Sequence, residues 1–204
     1  MGRIALKWMK WGTLALLTSC ASQPLRSQKT LSYSTDLFVP ISFLENKSHL
    51  AMNVHYPPVQ KIKQILDAEL PEPLKNRNEA HITVLNPLEY DQLKAFLPME
   101  KINELARTHQ IQQSSFKTIC LGKGRLQIDG REESNYFIVV ESADLLQLRT
   151  QIKEAFVAAG GTVNAFNENL YFPHITVGFT KRDLHYEDGI LKDKTSCWKD
   201  LSIN

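Results

Sequence analysis

The sequence predicts an α+β fold, a largely antiparallel sheet with helices packed outside it. Strand-like and helix-like segments alternate, yet several strand candidates follow one another through short turns, which favours antiparallel pairing over a doubly wound parallel sheet. The tetrapeptide His-Ile-Thr-Val also occurs twice, at 81–84 and 174–177. Each copy follows a helix closed by Pro or Gly, so the halves read as a weak internal duplication with a pseudo-twofold axis that sets the two copies side by side.

In chain order, 36–44 is apolar but broken by Pro40, an edge strand or extended lead-in. Residues 49–56 suit a first strand stopped by Pro57-Pro58. Val59, Ile62, Ile65, Leu66 and Leu70 have helical spacing, ended by Pro71 and Pro73. The first motif strand, 80–85, stops at Asn86-Pro87, and two helices follow over 90–97 and 99–109. Residues 115–121 and 125–128 read as strands joined by a Gly122-Lys123-Gly124 bend, and Asp129-Gly130 is a turn signal. The stretch 136–141 is the most apolar strand candidate. The strongest helix is 143–159, with Leu145, Leu148, Ile152, Phe156 and Val157 on one stripe and Gly160-Gly161 closing it. A short strand is expected over 162–166, then the second motif strand over 173–179. After Thr180 the chain reads as polar and irregular.

The 204 residues are 43% hydrophobic and 23% charged, ordinary for a globular domain with a real core. The net charge is +2 and the longest basic runs are pairs such as Lys181-Arg182, so wrapping long nucleic acid by charge alone is disfavoured. A small anionic ligand needs only a few local donors.

The N-terminus reads as an export signal. Arg3, Lys7 and Lys10 precede a short apolar run, 11–17, too short to span a bilayer, and small residues lead to Cys20. The Leu17-Thr18-Ser19-Cys20 ending resembles the bacterial lipobox, which implies cleavage after residue 19 and acylation of Cys20; the alternative is an ordinary secretory signal with an incidental cysteine. Ala21 stands where the inner-membrane retention signal usually has Asp, so the resemblance implies a lipid anchor in the outer membrane, facing the periplasm, where the organism has one. Residues 20–47 then form the lipidated cysteine and a polar tether, and 48–204 the domain. Cys120 and Cys197 remain, as a disulfide suited to an oxidising compartment or as two buried thiols.

The motif itself carries the chemistry. In a strand, residues two apart share a face, so His81 and Thr83 point one way and Ile82 and Val84 the other; His174, Thr176, Ile175 and Val177 repeat this. One His-x-Thr is a weak signal, since a hydrogen-bonded structural histidine is the commoner outcome. Two copies are harder to explain as packing, because buried polar groups must all find partners. Two facing histidines suit phosphodiester cleavage: one neutral ring takes a proton from the attacking oxygen and one protonated ring gives a proton to the leaving oxygen. Threonine hydroxyls can steady charge on the phosphate oxygens. His-x-Thr is not a metal-ligand spacing and no carboxylate cluster accompanies it, so no metal or other cofactor is expected. Tyr171 and Phe172 are candidates to stack on a base or sugar, though hydrophobic packing is the commoner role. Lys123 or Arg125 could reach a phosphate, though a solvated hairpin charge is the commoner role, and His185 could line the mouth of the cleft, though a surface-loop histidine is the default.

Paired His-Ile-Thr-Val motifs roughly ninety residues apart, the second preceded by Phe172-Pro173, resemble the two-histidine (2H) phosphoesterase superfamily, which includes RNA 2′,3′-cyclic phosphodiesterases. The stretch from Phe172 through Thr180 to Leu184-His185 further resembles its Swiss-army-knife RNA-repair-like branch. The resemblance implies a bilobal fold of two antiparallel sheets around a central cleft, with no metal cofactor. By position it makes His81 the acid and His174 the base in hydrolysis of a cyclic phosphate, with Thr83 and Thr176 holding the phosphate. The expected substrate is a small phosphoester or nucleotide, or an RNA end, handled by a monomer anchored to the membrane through its N-terminal lipid. The competing expectation is a catalytically inactive, lipid-anchored protein that binds nucleotides or phosphoesters.

Overall fold

Strands β2 (Leu50–Asn53), β3 (His81–Leu85), β4 (Lys117–Ile128), β5 (Arg131–Glu141), β6 (His174–Phe179) and β7 (Cys197–Ile203) pair into one antiparallel sheet. Their order is β7-β4-β5-β6-β3-β2, and β1 (Leu31–Tyr33) joins the outer edge of β7 in parallel. This is a computed structural model that describes residues 31–33 and 38–203. The signal and lipidation expectations, Cys20 included, lie outside the described residues.

The two sheets expected from the resemblance are one. The reason is β5, an 11-residue strand that pairs with β4 along one edge and with β6 along the other, so no break separates the halves. Helices α1 (Tyr56–Glu69), α2 (Pro87–Leu93), α3 (Met99–Thr108) and α4 (Ala143–Ala158) share one core with the sheet. Val59, Ile62, Leu93, Ile102, Leu148 and Ile152 bury against Ile82, Val84, Ile138, Val140, Ile175 and Val177. Each such aliphatic side chain contributes about 1.5–3 kcal/mol by leaving water. Phe137, Val139 and Cys120 form a separate small cluster on the opposite face, the one that carries the polar motif residues.

Local chemistry accounts for the element boundaries. Pro57 and Pro58 do not end a strand but open α1, where a missing N–H costs nothing. Asn86 and Glu89 form a capping box at the start of α2. Asp129 (φ 53°) and Gly130 (φ 76°) make the left-handed two-residue turn between β4 and β5. Among the described residues no helix is long and apolar enough to cross a membrane.

Three other expectations are corrected. Gly122-Lys123-Gly124 is no bend: β4 runs straight through it. The glycines serve close approach, since a Cβ on Gly122 would lie 2.4 Å from the Phe137 ring and one on Gly124 2.6 Å from Ile190 Cγ2. No strand forms over 162–166; Phe166 is buried there beneath the Arg149 guanidinium, which lies 4.7 Å from its ring centroid. The C-terminal stretch is not irregular throughout, because 197–203 forms β7.

The lead-in before β2 also lies on the domain. Pro40 bridges Val54, and the Ile41 amide donates to the Asn53 carbonyl at 3.1 Å. A disulfide joins Cys120 on β4 to Cys197 at the start of β7. Its partners are 77 residues apart in sequence, and on the chain-entropy model a loop of that length contributes about 4–5 kcal/mol by restricting the unfolded chain.

Candidate active site

The two motif strands are direct neighbours. β3 and β6 run antiparallel with Ile82 opposite Ile175. Continuing that register one residue each way sets His81 opposite Thr176 and Thr83 opposite His174. The four polar side chains therefore share one sheet face and remain partly exposed, while Ile82, Val84, Ile175 and Val177 are fully buried on the other. On the β5 side, Val139 stands opposite His174 and Phe137 opposite Thr176. Phe137 meets the His174 ring edge-on at 5.9 Å and forms the floor of the site.

The orientation of His174 is determined by its two hydrogen bonds. Nδ1 lies 2.8 Å from the Phe172 carbonyl, which can only accept, so Nδ1 carries the proton. Nε2 then holds the lone pair and accepts from the Lys192 ammonium at 3.0 Å. Lys192 Nζ also donates to Asp183 Oδ1 at 2.9 Å. Asn135 Nδ2 donates to the same carboxylate oxygen at 2.8 Å, and the Thr176 hydroxyl to Oδ2 at 3.1 Å. The result is a mostly buried network, with Lys192 only 3% exposed and its Asp183 partner 11%.

These surroundings set the protonation states. Burial, then the adjacent Lys192 charge, pushes His174 down to about 3, so it is neutral at physiological pH. Burial alone would raise the Asp183 carboxyl, but the Lys192 ammonium, His174 and the hydrogen bonds from Asn135 and Lys192 hold it below the usual carboxylate range. Burial also lowers His81. Glu79, whose carboxylate is 3.8 Å from His81 Nδ1, opposes that shift, with a weaker contribution from Asp183, while His49 and Arg77 reinforce it. The Asp183 charge thus acts on both motif histidines.

The remaining candidates divide. Phe172 contributes its carbonyl to His174, and its ring stacks on Tyr186 with centroids 5.7 Å apart. Tyr171 does not belong to the site: it packs on the helix-side core, with the Arg149 guanidinium 4.7 Å from its ring centroid and its buried hydroxyl without a hydrogen-bond partner among the described residues. Lys123 lies over the Tyr136 and Trp198 rings, and Arg125 faces Glu132 across the hairpin. His185 feels the charges of Asp183 and Lys192, as a residue at the edge of the site should. Sequence reasoning missed Asp183, Lys192, Asn135 and His49, whose ring lies 6.3 Å from that of His81. Asn135 left a signal, a polar residue directly ahead of the most apolar strand run, and the structure buries it fully. Among the described residues, no group of three or more His, Cys, Asp or Glu side chains is arranged to hold a metal ion.

One sheet face presenting a histidine and a threonine from each of two adjoining strands is the arrangement of a two-histidine phosphoesterase. A family model described as Swiss Army Knife, 2H phosphoesterase domain matches residues 48–185, and the chain belongs to this family. Membership supports phosphodiesterase-type, hydrolytic activity in general. No curated protein and no solved structure matches the chain significantly.

Proposed function

We propose that the protein is a metal-independent phosphodiesterase that hydrolyses cyclic phosphates, of the 2′,3′-cyclic nucleotide or RNA-end type, by acid–base catalysis between His81 and His174. The observation that carries this reading is the β3–β6 register, which puts both imidazoles and both threonine hydroxyls on one face. His174, neutral and with its Nε2 lone pair turned to the site, takes a proton from water as the water oxygen bonds to phosphorus. His81, the ring beside Glu79, gives a proton to the ester oxygen as its bond to phosphorus breaks. The product is a monophosphate, and solvent returns the proton from His174 to His81. Thr83 donates to a non-bridging oxygen, Thr176 does so by turning its one hydroxyl proton from Asp183 to the phosphate, and the Phe172 ring is the surface on which a base or sugar would stack. Both proton transfers are made by imidazoles, so no metal enters the step.

Phosphorus NMR of the purified domain mixed with a panel of cyclic phosphates, in excess chelator, tests this. A new monophosphate resonance is expected; turnover that appears only with a divalent metal would contradict the mechanism.

One observation favours a second reading, a protein that binds phosphoesters without turning them over: the His174 lone pair is engaged by Lys192. Saturable nucleotide binding by calorimetry, with no product over hours, would select it.

The Cys120–Cys197 disulfide supports export to an oxidising compartment. We place the protein in the bacterial cell envelope, tethered through acylated Cys20. Cys20→Ala is expected to move it from the membrane to the soluble fraction, and unchanged partitioning would rule the tether out.

A further inference from the structure

A lysine ammonium is rarely taken out of water unless it is paired, and Lys192 is nearly inaccessible. Its ion pair with Asp183 explains the burial but not the direction of its second N–H. That N–H points at His174 Nε2, the atom on which the proposed chemistry turns. Asp183 has donors of its own in Asn135 and Thr176. An ammonium has three N–H groups. Among the described residues two of them have hydrogen-bond acceptors, and Nζ otherwise lies 5.4 Å from the Phe137 ring centroid, over the floor of the site.

The chain holds Lys192 there deliberately. Residues 183–197 cross the polar face of the sheet and are secured at several points. Asp188 takes both terminal nitrogens of Arg182 and the His185 amide. Ile190 occupies the space that Gly124 leaves by having no side chain. Cys197 closes the segment onto β4 through the disulfide, five residues after Lys192. Lys192 lies beyond the matched stretch, which ends at residue 185.

We infer that Lys192 is a third functional group of the site, an ammonium that caps the His174 lone pair in the free protein and moves to a non-bridging phosphate oxygen when substrate enters. This rests on the reading of the face as a phosphodiester-cleaving site. The exchange releases Nε2 to accept the proton of the attacking water while the cation stays within reach. Before substrate enters it also keeps His174 in its base form, because a proton on Nε2 would face an ammonium 3.0 Å away. The groups acting on this pair are Asp183, His185 and the Phe172 carbonyl around His174, and Asp183, Asp188 and Arg77 around Lys192. Lys192 thus reconciles the engaged lone pair with catalysis.

Three readouts on the full chain test the inference: the NMR titration of the His174 imidazole, calorimetric binding of inorganic phosphate, and turnover of a 2′,3′-cyclic nucleotide. In Lys192→Met, His174 is expected to titrate higher than its wild-type value of about 3, and phosphate affinity to fall at least tenfold. Turnover should fall about 100-fold, the scale for losing one preorganised charge donor. Lys192→Arg should retain more of both functions. A folded Lys192→Met with unchanged His174 titration and phosphate affinity would overturn the inference, as would a wild-type protein that binds no phosphate at millimolar concentration. Should Lys192→Met fail to fold, the double variant Lys192→Met/Asp183→Asn leaves no unpaired buried charge. Phosphate affinity lost in that variant supports the inference, and wild-type affinity overturns it. A wild-type protein that binds phosphate through Lys192 yet hydrolyses no cyclic phosphate would sustain the Lys192 assignment and remove the phosphodiesterase reading.

Discussion

His174→Ala and His81→Ala are each expected to reduce kcat/KM for a cyclic phosphate by about 10²–10⁴-fold, the range for losing a positioned acid or base. On the proposed mechanism the two rings act in one step and their effects do not add, so the double variant should lose little more than either single one. The pH dependence follows from the environment of each ring. His174 must be unprotonated, and with its pKa near 3 that condition holds over the whole neutral and mildly acidic range. His81 must be protonated, and burial sets its pKa below the ordinary 6.5. Activity at low substrate should therefore be greatest under mildly acidic conditions and decline as pH rises through the His81 pKa, at a midpoint below 6.5. The groups facing His81 that tune this midpoint are Glu79, His49, Arg77 and Asp183. Initial rates across pH, with wild-type thermal midpoints in both variants, provide the check. A variant that keeps a tenth of the activity or more would exclude its histidine from the reaction.

Arg149→Met is expected to cost about 3–5 kcal/mol of stability, the scale for removing one partner of a buried ion pair. Arg149 is 1% exposed and forms a two-pronged pair with Glu89 at 2.8 and 3.1 Å. It also donates to the Val84 carbonyl at 2.6 Å, the last residue of the first motif, and to the carbonyls of Asn167, Glu168 and Leu170 in the loop leading to the second. Phe166 and Tyr171 flank the guanidinium. One side chain thus ties both motif strands from the helix side, and its loss strands a carboxylate and several carbonyls away from water. Arg149→Lys should recover only part of the loss, since an ammonium cannot reproduce the planar fork. Urea unfolding monitored by tryptophan fluorescence measures the cost, and a change below about 1 kcal/mol would contradict the argument, being within what an ordinary surface substitution or a single net hydrogen bond produces.

What could be read from the sequence was what obeys a local period. His-Ile-Thr-Val alternates with period two, so its polar and apolar faces follow from chemistry alone, and its recurrence points to the candidate site without any tertiary contact. Helix α4 announced itself in the same way. Arg149 is readable too, since it stands four residues after Leu145 on the buried stripe, where a charge calls for a buried partner. Other features have no local signature. Asp183 and Lys192 lie outside regular elements and reach the site only because Ile190 packs over Gly124 and Cys197 bonds to Cys120. The two glycines of β4 looked like a bend because close approach and a turn both call for a missing side chain. Strand β7 sets Lys199 and Asp200 side by side and so lacks a clean alternation, and it follows directly on a 3-10 turn, so its pairing is decided by β4 and not by its own composition. Phe166 is buried by a cation, which no strand pattern encodes.

Strand β7 has a practical bearing on how the domain is cut. The family match stops at residue 185, whereas β7 supplies the hydrogen-bonding neighbour of β4 through Cys120–Gly122. A fragment trimmed to the match would leave those amides and carbonyls of β4 open to solvent, a ready template on which a second molecule could add a strand. Such a fragment invites self-association, and its inactivity would reveal nothing about the histidines.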